Sequence, residues 1–114
     1  MTSQREPSRP IVSEFATDPE MAELVQMFIT ELPGRVASLH AAWTGKKITE
    51  LTRMAHQLKG ASAGYGFPTI GQAAGTLESR LKQLDAASAQ ASMDRLGAEF
   101  AALVELCDRA CQKR

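Results

Sequence analysis

Aromatic side chains make up only 5% of this chain: one Trp, one Tyr and four Phe. An aromatic core is therefore excluded, and Leu, Ile, Val, Met and Ala must fill the interior. An excess of one charge is also missing, since Lys plus Arg equals Asp plus Glu at 13 each. No global field draws such a chain to nucleic acid or to an anionic membrane. Cysteine occurs twice, as Cys107 and Cys111. A spacing of four is not the CxxC of redox and many zinc sites, and nothing forces a disulfide, so both read as small apolar residues. No stretch approaches the ~18 continuous apolar residues of a membrane-spanning helix. The first ten residues hold Arg, Ser and Pro without an apolar run, which is unlike a secretory signal. A cytoplasmic location is expected.

What remains is a globular composition, 44% hydrophobic and 23% charged over 114 residues, enough for one domain with one core. Residues 1–15, with Pro7 and Pro10 in polar sequence, read as a flexible arm, and 16–114 as the folded unit. Four helical stretches follow, and none shows the sustained alternation of a strand. The first begins near Thr17 and Asp18. Pro19 suits a first turn, and Thr17 with Glu20 has capping-box spacing. Its apolar set is Leu24, Val25, Phe28, Ile29, Leu32, Val36, Leu39 and Trp43. The phase survives Pro33 and Gly34, so one long helix kinked there is expected, ended by Gly45. The second stretch runs from about 46 to 64, and Gly64, Gly66 and Pro68 form the next turn. The third runs from about 68 to 84, with Ile70, Ala74, Leu77 and Leu81 on one side. Residues 86–89 read as a short link, and the last helix runs from about 89 to 111. The expected fold is all-α: an antiparallel up-down four-helix bundle with a short N-terminal arm.

One polar residue lies on the wrong face of the second stretch for a core position. At ~100° per residue, with Leu58 at zero, Leu51, Met54, Ala55, Ala61, Ser62 and Tyr65 fall within about 60°. His56 falls at about 160°, Gly60 at about 200° and Ala63 at about 140°, with Lys59 on the flank at about 100°. His56 therefore projects into solvent from mid-helix. A neutral imidazole is abundant near pH ~6.5 and above, so it can act as a nucleophile without a buried base. Lys59 at i+3 can offset the charge of a phosphoryl group. Gly60 at i+4 costs about 1 kcal/mol against Ala in a helix interior, and leaves a bare face through which a partner could approach. The segment has no GxxxxGK[ST] phosphate loop. The other histidine, His40, sits beside the first stripe and reads as structural or incidental.

The run Ala55-His56-x-Leu58-Lys59-Gly60-x-Ser62 resembles the signature of the histidine-containing phosphotransfer (HPt) domain family, roughly A-H-x-L-K-G-S/A-S. Gly66, Ile70 and Leu77-Glu78 sit at family-like offsets, and the resemblance covers about residues 18 to 105. It implies a four-helix bundle that serves two-component signal transduction as a phosphoryl carrier, not an enzyme with its own substrate pocket. It assigns His56 as phosphoacceptor, Lys59 as the charge-stabilising residue and Gly60 as the point of access. His56 would form phosphohistidine from a receiver phosphoaspartate and return the group to another receiver aspartate in a phosphorelay. Further docking contacts are expected from Arg53, Gln57, Ala63, Phe67, Glu78 and Lys82. Glu78 raises a difficulty, because an anion beside a phosphohistidine is unfavourable unless it contacts Lys59, Lys82 or the partner. The implied partners are response-regulator receiver domains and a hybrid histidine kinase, with no nucleic acid and no membrane. No cofactor and no metal are expected on this chain, Mg²⁺ being carried by the receiver, and a monomer is expected.

Three other readings compete. A histidine-kinase dimerisation domain usually follows its histidine with an acid and an Arg-Thr-Pro stretch, whereas Gln57-Leu58-Lys59-Gly60 follows here. A chemotaxis-kinase phosphoacceptor domain would have His56 loaded by an ATP-dependent kinase. A plain helical scaffold or metal-binding bundle would draw on His40, His56, Cys107 and Cys111, whose inferred faces do not converge.

Overall fold

The computed structural model describes residues 11–84 and 93–111. Among these residues the chain is all-helical and has no strand. Four helices carry the fold: α1 (Ala22–Thr44), α2 (Ile48–Gly64), α3 (Pro68–Lys82) and α4 (Gly97–Ala110). In space α1 packs against α2 and α4, and α3 against α2 and α4, so each helix has two neighbours and the ring closes. The core draws on every helix: Phe28, Leu32 and Leu39 from α1, Leu51 and Leu58 from α2, Ile70 and Leu77 from α3, Phe100 and Leu103 from α4. Leu24, expected in the stripe, is 42% exposed, and Ala42 takes a buried place instead. The few aromatics cluster, with Phe28 against Tyr65 and Phe67, and Trp43 stacked on Phe100. His40 meets Phe100 edge-on at 5.3 Å, in keeping with an incidental role.

Helix α1 starts later than the capping-box spacing suggests. The Asp18 carboxylate accepts the N–H of Glu20 at 2.9 Å, while the Asp18 carbonyl accepts those of Met21 and Ala22. Asp18 thus organises a separate turn, and regular helix begins at Ala22. From there α1 runs unbroken through Pro33. Proline has no N–H for the carbonyl four residues back, which is that of Ile29. The Cys111 thiol reaches this carbonyl, with Sγ 3.8 Å from the oxygen.

Both inter-helix turns have the hydrogen bonds of a Schellman motif. After α1, Lys46 N–H donates to Trp43 and Lys47 N–H to Ala42. Gly45 caps the helix, as expected, in a right-handed conformation, and the left-handed position falls on Lys46 (φ 58°). After α2, Gly66 N–H donates to Ala63 and Phe67 N–H to Ser62. Here the left-handed residue is Gly66 (φ 86°). A Cβ on it would lie 2.5 Å from Ser13 Oγ and 3.0 Å from Glu14 N.

Those two contacts come from the end of the arm. Ser13 donates its hydroxyl to the Tyr65 carbonyl at 2.6 Å, Glu14 N–H donates to the Gly66 carbonyl, and Ile11 N–H donates to the Arg109 carbonyl. The sequence places residues 11–15 in a flexible arm. They are instead seated across the α2–α3 turn and the end of α4, with Ser13 buried. The rest of the arm, 1–10, lies outside the described residues, as does the expected link at 86–89. Met93 and Asp94 are helical, a turn follows at Arg95 and Leu96, and the last helix runs from Gly97; the start expected near residue 89 lies outside the described residues.

No helix among the described residues is long and apolar enough to cross a membrane. Two substitutions at the turns are expected to move stability in opposite directions. Lys46→Gly removes a left-handed strain and should stabilise by about 0.5–1 kcal/mol. Gly66→Ala adds both strain and a clash and should cost about 2 kcal/mol or more. Urea unfolding of the two variants beside the parent checks both signs.

Candidate functional site

Helix α2 is amphipathic, and Leu51, Ala55, Leu58 and Ser62 bury its inner face. The helical period then places Arg53, His56, Gln57, Lys59, Gly60 and Ala63 outside, and all six are exposed. The His56 side chain is 68% exposed. Nothing lies within 4 Å of where a Cβ on Gly60 would point, so the face beside the imidazole is open. Ser62, part of the same motif, is fully buried, and its hydroxyl has no partner among the described residues.

Helix α3 comes close enough to α2 to share this site. A Cβ on Gly71 would sit 3.3 Å from the Lys59 carbonyl oxygen and 3.6 Å from Ala63 N. One turn on, a Cβ on Gly75 would sit 3.3 Å from Lys59 Cδ. The two glycines let α3 lie against the α2 backbone and let the Lys59 stem cross α3. One turn further stands Glu78, only 5% exposed. Its Oε2 lies 2.9 Å from His56 Nδ1 and 3.0 Å from Lys82 Nζ, and its Oε1 lies 3.8 Å from Lys59 Nζ. The last distance is an ion pair rather than a hydrogen bond.

The difficulty raised by Glu78 is thereby resolved by geometry. The carboxylate is balanced by Lys82 on its own helix and by Lys59 across the seam, and it holds the ring. The Lys82 hydrogen bond is the largest influence on its acidity and lowers its pKa; burial opposes this, and the His56 hydrogen bond adds to the lowering. Glu78 is therefore ionised at neutral pH. An ionised carboxylate only accepts, so Nδ1 carries the proton and donates it. The lone pair of the neutral ring is then on Nε2, the outward nitrogen, for which no hydrogen bond occurs among the described residues. The site can present a nucleophilic nitrogen to a partner and offer cations, Lys59 and Lys82, to a phosphoryl group.

Of the residues singled out from sequence, His56, Lys59, Glu78 and Lys82 come together in one network, with Arg53, Gln57, Gly60 and Ala63 on the surrounding surface. Phe67 does not belong there. It is 1% exposed and packs on Phe28, so it cannot offer a docking contact. As the second residue past the Tyr65 cap of α2 in a Schellman turn, it folds back on the helix it follows. Glu78, also expected as a docking residue, is buried and acts on the ring instead. Sequence reasoning missed Gly75, Thr52 and Leu81, the last two lining the depression that holds His56. The i, i+4 glycine pair of α3 was the available signal for close approach. Among the described residues no group of three or more His, Cys, Asp or Glu side chains could hold a metal ion.

The family model described as Hpt domain matches residues 23–112, and the chain belongs to that family, whose work is histidine phosphotransfer in phosphorelays. No curated protein and no solved structure matches the chain.

Because Glu78 titrates below its ordinary value of 4.5 when folded, its ionised form favours the fold. This contribution is complete above the unfolded pKa and is lost as pH falls through the folded one. Stability of the parent should therefore decline with acid below pH 4.5, and Glu78→Gln should show a shallower decline over that window. Chemical denaturation at stepped pH is the measurement, and equal slopes would contradict the assignment.

Proposed function

We propose that His56 is the phosphoacceptor of a two-component phosphorelay, taking a phosphoryl group from a receiver phosphoaspartate and passing it to the aspartate of another receiver. The observation that carries this is the exposed imidazole whose Nδ1 is held by Glu78. In the forward step Nε2 attacks phosphorus, an N–P bond forms, and the P–O bond to aspartate breaks with release of the carboxylate. The ring keeps its Nδ1 proton and becomes a cation, which the Glu78 carboxylate balances. Lys59 and Lys82 offset the charge of the transferred group. The reverse step runs through the same atoms, with an aspartate oxygen as nucleophile and neutral His56 as leaving group. In-line alignment comes from docking, and Mg²⁺ with the remaining groups comes from the receiver.

Gly60 gives the receiver access, and Arg53, Gln57 and Ala63 border the landing surface. The chain is on this reading a carrier without a substrate pocket of its own, a monomer working in the cytoplasm with receivers and a hybrid kinase. The short turns between α1, α2 and α3, and the ring of neighbours that the helices form, support an antiparallel up-down bundle. Docking should be transient, since a relay needs release.

Incubation with a phosphorylated receiver should give an acid-labile, alkali-stable phosphoprotein. His56→Gln should lose all labelling at unchanged helicity by circular dichroism. Full labelling of that variant would remove His56 from the role. Labelling from ATP through a separate kinase, with none from any receiver, would place the chain with chemotaxis-kinase phosphoacceptor domains instead.

A further inference from the structure

The two flanks of His56 differ in how their cations are partnered. At ~100° per residue, Lys59 lies about 60° to one side of His56 and Arg53 about 60° to the other. On the α3 side Lys59 and Lys82 share the single carboxylate of Glu78. On the α1 side Arg53 forms no ion pair among the described residues. Arg53 and Gln57 instead line a pocket between α1 and α2, with Arg35 and Ser38 on the opposite wall and Leu39, Met54 and Leu58 beneath. Arg35 is incompletely used as well. Its guanidinium lies over the Phe28 ring at 5.9 Å, its Nε is buried without a partner among the described residues, and its contact with Glu31, at 4.0 Å, is at the limit of an ion pair.

We propose that this α1–α2 pocket receives an acidic side chain of the docked receiver, held between Arg35 and Arg53. The inference rests on the phosphorelay reading and names the contact by which the partner is placed on His56. The pocket volume is about 230 Å³, below the roughly 300–1,000 Å³ of small-molecule sites and suited to one side chain. Its lining contains two cations, an amide and a hydroxyl, and no acid. Its apolar floor suits the methylene stem of Glu or Asp, and the guanidiniums suit the carboxylate end. Arginine pairs formed as water leaves an interface fix register and partner choice. Because both lysines of the opposite flank are already committed to Glu78, while Arg53 has no ion-pair partner among the described residues, an acidic group on the receiver gains most on the pocket side, and that fixes the direction from which the phosphoaspartate meets Nε2.

The test uses the full chain and the receiver that loads His56 fastest among those of the source cell, with binding measured by titration calorimetry. Arg53→Glu should weaken binding fivefold or more. Arg95→Glu, the same charge change at the turn before α4, should weaken it less than twofold. One Asp→Arg or Glu→Arg substitution on the receiver should restore binding to the Arg53→Glu chain. Arg35→Gln, kept folded by circular dichroism, should weaken binding in the same sense as Arg53→Glu. A wild-type chain loaded on His56 whose Arg53→Glu variant binds within fivefold of it overturns the pocket while leaving the relay intact. Weakening without any rescuing substitution overturns the acidic occupant. Failure of every receiver to load His56 overturns the relay itself, and the pocket's partner with it.

Discussion

Glu78 is a carboxylate almost wholly withdrawn from water at the seam between α2 and α3, and the site is arranged around it. Burying such a group is costly unless its lone pairs are filled by charged donors. Lys82 and His56 fill Oε2, and Lys59 stands off Oε1. The imidazole gains a fixed tautomer from this contact, and the two lysines gain fixed positions beside it. Without Glu78, the same histidine would rotate freely on a helix surface and Lys59 would be one more solvated cation. The anion that threatens a phosphohistidine from sequence alone is thus the group that orients the ring and, on the proposed function, balances the charge the ring would acquire on phosphorylation.

That arrangement depends on how closely α2 and α3 approach. Gly71 meets the α2 backbone and Gly75 accepts the Lys59 stem, so a side chain at Gly71 would press on the α2 backbone and one at Gly75 would displace the Lys59 stem. The turn between them is fixed in turn by Gly66, whose left-handed conformation and lack of a Cβ let Ser13 and Glu14 pack across it. The docked arm, the turn and the helix seam form one mechanical chain leading to the network around His56. On the other side of the bundle, Pro33 leaves the Ile29 carbonyl without a helical partner, and the Cys111 thiol reaches it from the end of α4. Cys107, read from sequence as a small apolar residue, is packed as one: burial pushes its thiol up to about 12, out of reach of reactivity.

Much of this was legible in the sequence because it follows from a period of 3.6. The four helices, the inward leucines and the outward His56 are consequences of spacing, and the Hpt domain match over residues 23–112 fits them. What spacing could not supply was anything set by contact between distant segments. Phe67 reads as a surface residue in a Gly-Pro turn, yet the turn hydrogen bonds fold it onto Phe28. Residues 11–15 read as polar arm, yet the pairing of Ser13 with Tyr65 lies 52 positions away. The role of Glu78 lay 22 positions from the histidine it holds. Local rules also lost at one helix end, where the Asp18 turn displaced the capping box, and they gave no sign that Lys46 would take a left-handed conformation.

The account stands on Glu78 holding the Nδ1 proton of His56, and nitrogen-15 NMR of the labelled ring reads this directly. At a pH where the ring is neutral, the account predicts a dominant Nδ1–H tautomer, with an unprotonated Nε2, that shifts toward the Nε2–H form in Glu78→Gln. A dominant Nε2–H tautomer in the parent chain, or a tautomer ratio indifferent to Glu78, would contradict it.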